Sequence, residues 1–186
     1  MRNIIHFFIL INIFTCNAQT KTSDTINYKN IEQDITITYP KVNLRKIEKW
    51  KSLNAIQKEW IKVEKDKEGY LIYEPCDGNT ETIKIEGARL TINWRIENPQ
   101  KLELEKFTRL TKNDAFRADA HDYENKKEFE IKAKIVDYQN GIVLWEFDDI
   151  KWLMTPKENY TSFRIVKNNC KTEKKKELEF LPIEKW

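Results

Sequence analysis

The densest run of reactive side chains in this sequence is Asn113–Asp122, where Arg117, Asp119 and His121 recur at every second position. On an extended strand that spacing puts all three on one face, with Phe116, Ala118 and Ala120 on the other. A carboxylate beside an imidazole is a minimal set for proton transfer, and with Asp122 or Glu124 it would offer a divalent cation an oxygen-rich seat. The same pattern describes a solvated strand face carrying an Arg-Asp-His ion cluster. That is the reading the sequence favours, so no catalytic residue and no metal ligand is assigned. Asp148 and Asp149 are adjacent, point to opposite faces of any strand and mark a turn instead of a carboxylate pair.

The second resource is aromatic. Trp60, Tyr73, Trp94, Trp145 and Trp152 are the candidates for lining a ligand site, since inward aromatics in a closed barrel leave an apolar pocket with one open mouth. Parity argues for core packing at most of them. Trp94 shares a face with Leu90, Ile92 and Ile96, Trp145 with Val143 and Phe147, and Trp152 with Ile150 and Met154. Trp60 departs from this, because Lys62 and Glu64 follow it at the same parity while Ile61 and Val63 take the other face. Of the five it is the one whose pattern most admits a surface or pocket rim, against core packing.

The first twenty residues set the compartment. Arg2 is followed by the apolar run Ile4–Ile11 and then by Thr15-Cys16-Asn17-Ala18, which reads as a secretory signal peptide over residues 1–18. The apolar core is shorter than the ~20 residues that cross a bilayer as a helix, so no transmembrane helix is expected in the mature chain. The protein is therefore expected to be secreted or periplasmic, with acylation at Cys16, as in a lipoprotein, the competing outcome. Cleavage after Ala18 leaves Cys76 and Cys170 as the remaining thiols, and an even pair in an oxidising compartment is most simply a disulfide. Such a bridge closes a loop of nearly a hundred residues, worth ~4 to 5 kcal/mol in the chain-entropy account.

Composition removes several function classes. Charged residues make up 34% of the 186, yet the signs nearly cancel at +3, and Lys and Glu alternate. That is not the single-sign footprint of a nucleic-acid binder. The four glycines, at 69, 78, 87 and 141, form no phosphate-cradling loop, and the three serines, at 23, 52 and 162, lie in no nucleophile-elbow sequence. The mature chain holds one histidine and no Cys-x-x-Cys pair, which leaves little to bind zinc. No cofactor is implied.

These side chains need elements to position them, and the pattern for that is β. Residues 19–33 are polar without apolar periodicity and read as a flexible lead-in to one domain over 34–186. Asp34–Tyr39 alternates as a short strand, and Leu44, Ile47, Trp50 and Leu53 suit short helices before Trp60. From there the period is two, in segments at 60–65, 70–74, 82–86, 89–97, 102–110, 115–121, 128–138, 142–148, 151–154, 161–167 and 177–181. Turn residues separate most of them, and Asn140-Gly141 is the strongest hairpin signal. The fold class is all-β: an antiparallel meander closing into a barrel or a strongly coiled sandwich, with short N-terminal helices.

A helical turn, a Trp heading the first barrel strand, sequential hairpins and a late cysteine able to bridge to the sheet make residues 54–170 resemble the lipocalin-like (calycin-type) plan. The family's Gly-x-Trp motif is not present, since Lys58 precedes Trp60 by two, and Arg164 is the candidate for the late Arg that packs over that Trp. The leader, ending in Asn-Ala-Gln, resembles those of secreted Bacteroidetes-type proteins. The expectation is a non-catalytic binding protein, with a small apolar molecule in the barrel mouth. The alternatives are interaction with another envelope or extracellular protein, as an inhibitor or envelope component, and a glycan-directed enzyme.

Overall fold

The computed structural model describes residues 25–30, 33–40, 56, 58–111, 115–169 and 180–183. The expected leader, Cys16, the expected helices near 44–51 and Cys170 lie outside these residues. Among these residues the fold is all-β, with twelve strands: β1 Thr25–Asn30, β2 Gln33–Thr38, β3 Glu59–Asp66, β4 Gly69–Glu74, β5 Thr82–Glu86, β6 Arg89–Asn93, β7 Gln100–Thr111, β8 Ala115–Asp122, β9 Lys127–Asp137, β10 Ile142–Phe147, β11 Ile150–Pro156 and β12 Arg164–Asn168. A 3-10 turn at Lys157–Ser162 joins the last two. Among the described residues no helix is long and apolar enough to cross a membrane.

Strands β5 through β11 form an antiparallel meander, and β3 closes it by pairing β11 on one side and β5 on the other. The result is a closed eight-stranded barrel, which leaves none of these strands as a fully open edge. Past Val63, β3 leaves the barrel wall and pairs β4 through Glu64, Lys65 and Asp66. Strand β4 then carries β12 in parallel, and β12 carries β2 and β1. This small sheet forms a wing beside the barrel.

The two-residue alternation produces two cores. One fills the barrel with Trp60, Ile83, Leu90, Ile92, Phe116, Ile131, Trp145 and Met154, among others. The other packs Ile61, Val63, Ile142, Leu144 and Leu153, on the outside of the barrel, against Ile72 and Phe163. So β3, β10 and β11 bury both faces, which is why Ile142–Trp145 reads as an unbroken apolar run.

Some expected boundaries move. Thr25–Asn30, inside the expected lead-in, pairs with β2 in full register; its ladder needs backbone groups, not apolar alternation. Strand β6 stops at Asn93 instead of running to 97, because the following loop turns to meet the β4–β5 loop, where the Asn79 N–H donates to the Arg95 carbonyl at 3.1 Å. Strand β12 starts at Arg164, the preceding residues being wound into the 3-10 turn. At the C-terminus 180–183 lie outside any strand, and the Leu181 N–H donates to the Lys65 carbonyl at 2.7 Å.

Candidate functional site

Local sequence explains the turns that hold the barrel ends. Asp122-Tyr123-Glu124-Asn125 and Asp137-Tyr138-Gln139-Asn140 repeat one pattern at the β8–β9 and β9–β10 connections. In the first, Asp122 Oδ1 accepts the N–H of Glu124 and Asn125 at 3.0 Å, and Oδ2 accepts the amides of Asn125 and Gln100 at 2.8 Å. These donors hold the Asp122 carboxyl down at about 2, the Asn125 side chain contributing most and Gln100 next. Asp137 accepts the corresponding N–H groups of Gln139 and Asn140. The residue after each Asn is left-handed, Lys126 at φ 53° and Gly141 at φ 67°. Asn140-Gly141 is thus not a two-residue turn but the end of a four-residue loop.

The alternating polar face of β8 is found where the sequence placed it, outside the barrel, with Phe116, Ala118 and Ala120 inside. Arg117 Nε reaches Glu130 at 2.6 Å, and Asp119 lies 3.7 Å from Arg117 and 3.6 Å from Lys106. Lys132 and then Arg117 depress the Glu130 carboxyl. His121 turns to Tyr123, ring centroids 4.4 Å apart. Asp122 points to the opposite side and is committed to its turn, so the oxygen set suggested for a cation does not converge. The face is a salt-bridge lattice across β7, β8 and β9.

The aromatic candidates divide. Trp60, the one whose pattern most admitted a surface place, is 1% exposed. Its strand explains the difference: Trp60 lies where β3 is barrel wall, while Lys62 and Glu64, at the same parity, lie where β3 is leaving it. Trp145 and Trp152 are buried in the same interior. Trp60 and Phe116 meet Trp145 edge-on at 5.5 Å, and Phe147 meets Trp152 at 5.8 Å. Among the described residues the Trp145 indole N–H meets no hydrogen-bond acceptor. Trp94, half-buried, meets Trp152 edge-on at 5.0 Å and closes the barrel at the end where β6 finishes and β11 begins. Arg164 is engaged elsewhere than over Trp60: its buried guanidinium ion-pairs with Asp66 and Glu68 at the β3–β4 turn, six residues or roughly 20 Å along the strand from Trp60.

At that Trp94 end, the divergence of β3 from β5 opens a cleft of about 200 Å³ between barrel and wing. Lys62 rises from its floor, half-buried, 3.0 Å from Glu64 and 3.1 Å from Glu81, with its ammonium 5.8 Å from the Trp152 ring centroid. Burial works against its charge, but the two carboxylates more than compensate and keep it a cation. Tyr73 and Phe180 form the walls, their rings 5.3 Å apart, and Arg95 lies over Tyr73 at 5.8 Å while ion-pairing with Asp77 at 2.8 Å. Comparison with protein-family models, curated proteins and solved structures finds no match.

The cleft joins one aromatic expected to bind, Tyr73, to charged residues the sequence did not single out. Lys62, Glu64, Glu81 and Arg95 come from β3, from the residue before β5 and from the loop after β6. No local spacing links them. The one signal for them was the polar parity of Lys62 and Glu64 after Trp60. Cys76 is half-buried just after β4, and its expected partner Cys170 lies outside the described residues.

Proposed function

We propose that this chain is a secreted or periplasmic, non-catalytic binding protein that takes a small molecule at the rim cleft between barrel and wing. The observation that carries this is the convergence of a half-buried, doubly paired Lys62 with the Tyr73 and Phe180 rings in a cleft beside the closed end of the barrel. Polar groups held in fixed positions against aromatic walls can orient a bound molecule, and this lining is mostly polar, with Tyr73 and Phe180 as its aromatic part. The closed eight-stranded barrel is compatible with a lipocalin-like plan. The interior, however, is packed with Trp60, Phe116, Trp145 and Phe147, which supports a site at the mouth, beyond the Trp94–Trp152 pair, over one inside the barrel.

Native mass spectrometry after incubation with a small-molecule extract of the host tests this. The expected result is an added mass retained by the wild type and lost from Tyr73→Ala and Arg95→Gln variants whose far-ultraviolet circular dichroism and cooperative thermal unfolding are kept. An added mass held equally by all three proteins, or none on any of them, would overturn the proposal.

A further inference from the structure

We infer that the rim cleft takes a neutral sugar ring, either a free pyranose or the end unit of a glycan; this rests on the reading of the cleft as the binding site. Three observations lead there. The first is size, since about 200 Å³ falls below the roughly 300 to 1,000 Å³ of sites for drug-sized ligands. A space of that order is enough for one small ring.

The second is charge. The lining holds two cations, Lys62 and Arg95, and two anions, Glu64 and Glu81, and Arg95 is further paired with Asp77. Lys62, flanked by two carboxylates within 3.1 Å, makes a row of formal charge −1, which Arg95 across the cleft brings to zero over the lining, so the cleft offers little net charge to reward an ionic ligand. Pairing does not exhaust hydrogen-bonding capacity. An ammonium has three N–H donors and a carboxylate about four acceptor positions, so the Glu64-Lys62-Glu81 row presents donors and acceptors side by side. Hydroxyl groups, which both donate and accept, fit such a row better than a pure anion or cation does.

The third is the wall. Tyr73 and Phe180 are tilted by 59° and stand over the charged row. A pyranose has the complementary make-up, with weakly polar C–H faces and a hydroxyl edge, so its face meets the rings while its edge meets Lys62, Glu64 and Glu81. The other clefts differ in this respect. The groove beside Asp119 and His121 is walled by charged side chains, with Phe129 as its one aromatic carbon ring.

The test is saturation-transfer NMR and calorimetry on the full chain with defined probes: methyl glycosides of glucose, galactose and N-acetylglucosamine, the disaccharides of the same sugars, glucuronate, glucosamine and decanoate. Binding of at least one neutral methyl glycoside at millimolar concentration is expected, insensitive to salt. It should weaken at least tenfold in Tyr73→Ala and be retained in Tyr73→Phe, which guards against a variant that fails to fold. A disaccharide that binds at least as well as its methyl glycoside assigns the end unit of a glycan; one that binds worse assigns the free sugar. Binding of glucuronate, glucosamine or decanoate that is lost in Tyr73→Ala, with no neutral glycoside bound, overturns the sugar inference and leaves the cleft as the site. Neutral glycosides binding wild type and Tyr73→Ala alike overturn it by moving the sugar elsewhere. No probe bound at all overturns it as well, and the native-mass experiment then decides the cleft separately.

Discussion

Asp122 concentrates more hydrogen bonds on one side chain than any other group described, and all of them favour its ionised form. Its folded pKa of about 2 lies below the ordinary 3.8, so its contribution is present above 3.8 and is lost as pH falls through about 2. Replacing it with Ala strands buried donors and is expected to cost ~1 to 3 kcal/mol at neutral pH. Urea unfolding across the acid range should show the wild type losing stability toward pH 2 and Asp122→Ala losing correspondingly less. Lys126 is the weak point of the same turn. Its φ of 53° is unfavourable for a residue with a Cβ, whereas Gly141 occupies the matching position in the next turn. Lys126→Gly is therefore expected to raise stability by up to ~1 kcal/mol, read from the denaturation midpoint. Of the two turns, the second was legible as a reversal from Asn140-Gly141, while the first was not singled out. Their shared Asp-Tyr-x-Asn pattern is equally visible in the sequence, but it acquires meaning only once both Asp carboxylates are seen to cap the loops.

Among the elements, β3 does the most varied work. Its first half closes the barrel between β5 and β11, and its second half founds the wing with β4. One parity of side chains therefore passes from barrel core at Trp60 to cleft floor at Lys62, while the other, Ile61 and Val63, stays in the second core. A parity argument assumes that one face of a strand keeps one environment along its length, and β3 breaks that assumption by changing partners. The cleft also depends on the apposition of the β4–β5 and β6–β7 loops. A Cβ on Gly78 would come within 2.2 Å of the Arg95 carbonyl oxygen, where backbone leaves no room. Gly78→Ala is expected to cost ~1 to 3 kcal/mol by forcing the loops apart. It should also disorder Arg95 over Tyr73, a change that near-ultraviolet circular dichroism and thermal unfolding would report together.

At the scale of the whole molecule, closure and filling of the barrel set stability. Trp145 is fully buried at the centre of the aromatic cluster, and Trp145→Ala is expected to cost ~3 to 5 kcal/mol, measured by chemical denaturation. The apolar void it leaves should accept a small aromatic probe such as benzene and recover part of the loss, as dry engineered cavities do. The wing is tied to the barrel by β3, by the second core and by Tyr160, whose hydroxyl donates to Glu74 and is raised in pKa chiefly by burial. The parallel pairing of β12 with β4, Lys167 opposite Glu74, brings the chain out of β12 at the end of the sheet where Cys76 lies. A Cys76–Cys170 bridge there is a proposal that non-reducing peptide mapping would test, the expected outcome being one cross-linked peptide pair.

What the sequence determined by itself was the β class, most strand positions, the inward set on β6, β8 and β9, and the outward polar face of Arg117, Asp119 and His121. Each of these follows from a period of two within one strand and from residues that reverse the chain between strands, which are short-range properties. Tertiary structure alone decided which strand closes the barrel, that β3 serves two sheets, that Arg164 answers Asp66 and Glu68, and that Lys62, Glu64, Glu81, Tyr73, Arg95 and Phe180 meet in one cleft. Those contacts join residues far apart in the chain through the register and divergence of whole strands, and no local pattern encodes where a strand will change its neighbour.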